Sequence, residues 1–170
     1  MKKLYIVRHA KSSWEHPELP DEQRPLIEKG LRRTKRINDY FIEHGIVVDL
    51  IISSPAVRAF ETAKIVGKAL KHKEKEIKID SLLYAADANR LFNLFYDLPA
   101  GVDSLMIVGH NPTLTNFANH FIVPKIDSLP TSGVVCIEFK VDKWEEISSL
   151  NGTLKFFITP KMLKEQAKRK

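Results

Sequence analysis

A chain of 170 residues with a 44% hydrophobic share has the length of one domain and enough apolar side chains for a core, which excludes wholesale disorder. Its single cysteine excludes an internal disulfide and fits a reducing compartment, and no stretch reaches the roughly 18 apolar residues that a membrane span needs. The formal charge of +6 sits mostly in residues 161–170, where five basic side chains face only Glu165, so the body is too weakly basic to indicate a nucleic-acid partner.

Met1-Lys2-Lys3 is followed by only four apolar residues before Arg8, too few for a signal-peptide core, and a cytoplasmic location is expected. The first predicted strand, 3–8, ends abruptly in Arg8-His9-Ala10-Lys11. A short β-branched apolar run reads as a buried, parallel strand, and ligands bind open α/β sheets at the carboxyl ends of such strands. Residues 11–25 include Pro17, Pro20 and Pro25 and read as a long loop overhanging that end. A helix is predicted over 28–44. The second strand, 49–53, leads into Ser53-Ser54-Pro55 and a helix over 56–71 that carries Arg58. The charged run Lys71–Glu76 reads as an exposed connection to a strand at 76–80.

Asp87 is placed to cap a helix predicted over 87–97. The strand at 104–109 leads into Gly109-His110-Asn111-Pro112 and a helix over 112–121. The second and fourth strands thus share one grammar, in which Ser54 or Asn111 caps a helix and proline takes its first position. Strands at 133–140 and 153–159 follow with no helix between them, so one is expected to run antiparallel. The first of them holds Cys136 as a core thiol, and Asn151-Gly152 signals a hairpin turn before the last. The fold class is α/β, a three-layer α/β/α arrangement with a mainly parallel, mixed six-stranded sheet. Residues 1–160 form the single domain and 161–170 a frayed basic tail.

Three strand ends therefore carry Arg8 and His9, Arg58, and His110. Arginine offers a planar fork of donors for an anion, and histidine a nitrogen nucleophile near neutral pH. Taken alone, Arg-His after a strand is equally compatible with a surface turn. The set of three suits a phosphomonoester dianion, with charge supplied by arginine and no metal or other cofactor called for. His16, His44, His72 and His120 lie outside these segments and read as structural or exposed.

Arg8-His9-Ala10, Ser53-Ser54-Pro55 with Arg58, Glu61, Thr62 and Ala63, and Val108-Gly109-His110 with Asn111 together resemble the histidine phosphatase superfamily, also called phosphoglycerate mutase-like. The likeness runs from Lys3 to about Pro160. Arg8-His9-Ala10-Lys11-Ser12-Ser13-Trp14 and Asp21-Glu22-Gln23-Arg24-Pro25-Leu26 point to its SixA-type phosphohistidine phosphatase branch. The resemblance implies that His9 attacks phosphorus, that Arg8 and Arg58 bind the phosphoryl group and that His110 donates to it when protonated. It also implies a phosphohistidine-bearing protein as the substrate partner. Two positions depart from the wider pattern. Many members carry an asparagine six residues after the nucleophile; here Glu15 stands there, so Glu15 is expected to point outward and Ser12 to donate instead. Mutase-type members carry a glutamate acid where this chain reads Ser81 to Asp87 without one. Asp21 is then the remaining candidate acid, with an ion pair to Arg24 as its other reading. An activated leaving group such as phosphoimidazole needs no such acid, which favours it over a sugar phosphate. A small-molecule phosphatase of the same superfamily and a non-catalytic phosphate-binding module are the alternatives.

Overall fold

The structure, a computed structural model, describes all residues from 1 to 170. Strands β1 (Lys2–Arg8), β2 (Leu50–Ser53), β3 (Lys78–Ile79), β4 (Ser104–Gly109), β5 (Val134–Phe139) and β6 (Gly152–Ile158) form one sheet in the order β3-β2-β4-β1-β5-β6. The pairs β2/β3, β2/β4 and β1/β4 are parallel, while β5 runs antiparallel to both β1 and β6. Five helices accompany them: α1 (Glu28–Glu43), α2 (Val57–Ala69), α3 (Leu82–Ala85), α4 (Thr113–Asn119) and α5 (Pro160–Lys168).

Side chains alternate across a strand, and β1 is buried on both faces as a result. Leu4 and Ile6 join one core, with Leu105 and Ile107 of β4 and Leu114 and Phe117 of α4. Tyr5 and Val7 join the other, with Met106 and Val108 of β4, Ile37 and Phe41 of α1, and Ala63 and Val66 of α2. Two cores on opposite faces make the three layers. The central strands β4 and β1 deliver His110 and Arg8-His9 to the same edge, and β2 delivers α2 with Arg58.

Five expectations change. Helices α2 and α4 begin at Val57 and Thr113, so Pro55 and Pro112 precede the first turn; Ser54 and Asn111 still accept backbone amides, from Ala56 and Thr115, each at 3.2 Å. Residues 87–97 hold a 3₁₀ helix over Arg90–Phe95 and no α-helix. Leu91 and Leu94 are buried, and a spacing of three puts them on one side of a 3₁₀ turn as readily as on an α-helix. Asp87 still serves as a cap, accepting from the Arg90 amide at 2.9 Å. Asn151-Gly152 is not a two-residue hairpin turn. It closes a longer loop holding a 3₁₀ turn at Trp144–Glu146, in which the Asn151 side chain bonds Ser148 N and Glu146 O. Gly152 is needed for close approach, since a Cβ there would lie 2.9 Å from the Phe139 ring. Strand β3 is only two residues long, at the sheet edge. Finally, the residues read as a frayed tail form α5. Thr159 caps it by accepting from Met162 N at 3.1 Å, Pro160 opens it, and Leu163 packs against the α1–α2 core.

Candidate active site

Arg8 and His9 leave β1 at the centre of the sheet, with their backbone held from both sides. His9 N donates to Gly109 O at 3.0 Å, Arg8 N to Gly133 O at 3.2 Å, and Ser132 N to the carbonyls of both Arg8 and His9. The next residue, Ala10, donates its amide to the Thr62 hydroxyl of α2, which donates in turn to the Arg58 carbonyl. Glycine at position 30 lets α1 lie against this turn, because a Cβ would meet Lys11 O at 2.5 Å.

The four strand-end residues converge on one cavity of about 360 Å³, which Arg8, His9, Arg58 and His110 line together with Ser12 and Asn111. The rings of His9 and His110 lie 5.1 Å apart, centre to centre. No carboxylate lines the cavity, and Lys11, Arg24 and Arg33 add to its positive charge.

His9 Nδ1 lies 2.7 Å from the Ala10 carbonyl. A carbonyl only accepts, so Nδ1 carries the proton and Nε2 keeps its lone pair. Burial holds the His9 imidazole down to about 4, against a partly opposing hydrogen bond to Ala10 and with help from Arg58, Arg8 and Arg24. It is therefore neutral at pH 7. The Ser54 hydroxyl accepts from Ala56 N at 3.2 Å and pairs with His110 Nε2 at 2.8 Å; with a second lone pair and its own proton, it serves either tautomer of that ring. The other ring nitrogen, His110 Nδ1, is buried and has no partner. Burial and the neighbouring His9 and Arg58 push His110 down to about 3. The His110 ring is therefore neutral near pH 7.

The arginines are fixed by acceptors. Arg8 Nη1 donates to Leu129 O at 3.1 Å, and Arg58 donates from Nη1 to Asp21 O at 2.6 Å and from Nη2 to Asp21 Oδ2 at 2.9 Å. Arg8 Nε, Arg58 Nε and His110 Nδ1 are three of the four buried side-chain polar atoms without a hydrogen-bond partner in the whole protein. Such atoms are rare, and their concentration around one cavity makes it a candidate anion site.

Asp21 is a hub and not a free acid. It accepts from Arg58, from Tyr84 Oη at 2.8 Å and from Arg24 Nε at 3.1 Å. Burial alone would raise its carboxyl, but the Arg58 and Tyr84 hydrogen bonds outweigh that and hold it down to about 2. The expected ion pair with Arg24 is present, and the structure adds Arg58 and Tyr84 to it. Ser12 lines the cavity and accepts from Arg24 Nη1 at 2.9 Å, which leaves its hydroxyl proton free to donate. Glu15 is exposed and outside the cavity. Sequence reasoning misses Arg24 as a site residue: it is buried, bonds Ser12 and Ser13, and lies 3.6 Å under the exposed Trp14 ring. Its pairing with Asp21 is legible, but its place at the cavity depends on how the loop folds back.

The sequence profile of the histidine phosphatase superfamily (branch 1) matches residues 4–94. An uncharacterised chloroplast protein of Arabidopsis thaliana is 27% identical over 89% of this chain and 72% of its own. An uncharacterised protein of Mycobacterium leprae is 24% identical over 91% of this chain and all of its own. Among solved structures, a protein of Agrobacterium tumefaciens proposed to be a phosphohistidine phosphatase SixA has a TM-score of 0.77 and 27% identity, over 94% of this chain and 98% of that one. A protein histidine phosphatase SixA complexed with tungstate has a TM-score of 0.75 and 19% identity, over 95% and 99%. A mycobacterial glucosyl-3-phosphoglycerate phosphatase shares the fold at a TM-score of 0.65 and 14% identity, over 91% and 97%. The match of strand ends, fold and profile places this chain in the histidine phosphatase superfamily, as a SixA-like phosphatase.

Proposed function

We propose that this protein hydrolyses phosphohistidine on a partner protein, in the cytoplasm, through a phosphorylated His9. The observation that carries the reading is the 2.7 Å contact between His9 Nδ1 and Ala10 O, which leaves a neutral Nε2 with its lone pair in a cavity lined by arginines. Nε2 attacks phosphorus in line while Arg8, Arg58, His110 and the Ser12 hydroxyl take the charge of the equatorial oxygens. The bond to the leaving imidazole breaks and its electron pair returns to that ring, which is already protonated on its other nitrogen. Water then attacks the phosphoryl group on His9, the P–N bond breaks, and phosphate leaves with restored Nε2. Asp21, held as a carboxylate, supplies no proton, and this supports a substrate with an activated leaving group.

The test is a panel of phosphohistidine peptide, phosphoramidate, aryl phosphate and glycerol phosphate in the presence of a chelator. The expected order of kcat/KM places the first three far above the last. Rapid quenching should trap acid-labile phosphate on His9, and His9→Ala should abolish turnover. Near-normal activity of His9→Ala, or efficient hydrolysis of glycerol phosphate, would overturn the reading.

A further inference from the structure

A concavity larger than the one at His9 lies between α1 and α5. It has a volume of about 510 Å³, and no hydrophobic side chain lines it. Lys29, Arg32, Arg33 and Arg36 follow the i, i+3, i+4, i+7 spacing of one α1 face, and α5 adds Lys161 and Lys164. A row of basic residues on a helix is ordinarily solvated and paired. Elsewhere on α1 that is so, since Lys35 meets Asp39 at 3.0 Å. Of the six cations here, only Arg32 has a carboxylate nearby, Glu28 at 3.4 Å on the exposed surface. Like charges crowd enough that Arg33, Lys11 and Arg32 lower the proton affinity of the exposed Lys29. Arg33 and Thr131 line this concavity and the His9 cavity alike, so the two lie side by side.

We propose that the α1–α5 concavity is a second anion subsite, which holds the non-transferred phosphates of a substrate whose scissile bond is a terminal phosphoanhydride. The inference rests on the reading of His9 as nucleophile and extends its substrate class. His9 Nε2 bonds to the terminal phosphorus, the bond from that phosphorus to the bridging oxygen breaks, and the electron pair leaves on the shortened polyphosphate. Water then cleaves the P–N bond and releases phosphate. A phosphate leaving group ionises near neutral pH, so this step needs no more acid than phosphohistidine does, in keeping with the paired state of Asp21. Through Arg33, which lines both cavities, the cations of α1 and α5 border the site from which that leaving group would depart. An acidic protein face is the weaker match, because stable protein interfaces have an apolar centre and this concavity has none.

The experiment compares tripolyphosphate with an aryl phosphate on wild type and on Lys161→Glu/Lys164→Glu, two residues that line only the second concavity. Wild type should prefer tripolyphosphate by kcat/KM. The double variant should lose about tenfold or more of that activity, chiefly through KM, while its aryl phosphatase activity stays within about twofold. The salt dependence of tripolyphosphate turnover should flatten. Lys161→Gln/Lys164→Gln should give a smaller loss of the same kind, which guards against a folding defect in α5. Binding of tripolyphosphate to His9→Ala, measured by calorimetry, should survive and weaken in the background of the double variant. That separates the subsite from the nucleophile, since loss of the His9 mechanism leaves this binding result intact. Equal loss of both activities, no preference for tripolyphosphate, or a charge-reversal effect confined to an acidic phosphohistidine peptide would each overturn the proposal, the last in favour of a protein-docking face.

Discussion

The buried imidazole of His9 gives a pH prediction that separates this cavity from an ordinary histidine site. Its ordinary value of 6.5 falls to about 4, because burial and the positive charges of Arg58, Arg8 and Arg24 oppose the cation. That difference corresponds to about 3 kcal/mol against protonation. At pH 5 an imidazole at 6.5 is only about 3% neutral, whereas one near 4 is about 90% neutral. Moving from pH 7.5 to pH 5 should therefore cost almost nothing in kcat/KM, corrected for the substrate's own ionisation, where an unperturbed nucleophile would lose about 30-fold. The acid limb should appear near pH 4. NMR titration of the His9 ring, assigned by its loss in His9→Gln, checks the same value without substrate.

The same proton makes stability depend on pH. As pH falls through 6.5 the unfolded chain takes up a proton at His9, while the folded protein takes none until about 4. Stability is thus fully present above 6.5 and declines across that window, by about 3 kcal/mol for this residue. For a chain of this length that is a fall in Tm of roughly 6–12 °C, which His9→Gln should abolish. A kinetic limb or ring titration near 6.5 would refute the argument that burial and the arginines set the state of His9.

Three substitutions probe the surrounding geometry. Arg58→Lys should lower kcat/KM by about 100-fold although it keeps the charge, because lysine cannot both hold Asp21 by two nitrogens and reach the phosphoryl group; a loss under threefold would remove Arg58 from the site. Asp21→Asn should slow aryl and alkyl phosphates by the same factor, since its role is to orient Arg58; selective slowing of alkyl phosphates would restore it as an acid. The same change should cost about 1 kcal/mol of stability at pH 7, a value discounted because half the Asp21 side chain is exposed, and this difference should fade as pH falls from 3.8 through about 2. Ser54→Ala should release the His110 ring from its one side-chain partner and lower kcat by about tenfold with little effect on Tm; unchanged kcat would show that Ser54 does not position His110.

The strand ends are legible because a parallel strand buried on both faces leaves an unbroken apolar run, and whatever polar residue stops it stands at the ligand edge. Arg8-His9 after Val7 and His110 after Val108-Gly109 are such stops. What can be read of the site is therefore its floor. Its walls come from loops and helices that fold back over it, and residue spacing says nothing of where Arg24, Lys11 or Arg33 end up. Arg24 reaches the cavity only because Asp21, Ser12 and Ser13 hold its guanidinium there. Helix α5 is different, for its signal is present: Thr159-Pro160 is a cap followed by a first-turn proline, and the density of charge after it hides the apolar Leu163. The 3₁₀ helix at Arg90–Phe95 is ambiguous because two buried leucines three apart satisfy either period.

The backbone of Arg8 and His9 is tied to Gly109 on one side and to Ser132 and Gly133 on the other. These bonds continue the pairing of the central strand, so the floor of the site cannot come apart unless β1 separates from β4 or β5. Amide hydrogens at Arg8 and His9 should accordingly exchange with solvent only through global unfolding, together with those of Ile6, Ile107 and Val108 in the same sheet. Heat inactivation and loss of fold then become one event with one midpoint. Residual turnover during a thermal ramp would count the folded molecules, and a partly unfolded population with an intact catalytic centre would have no place in the melting curve.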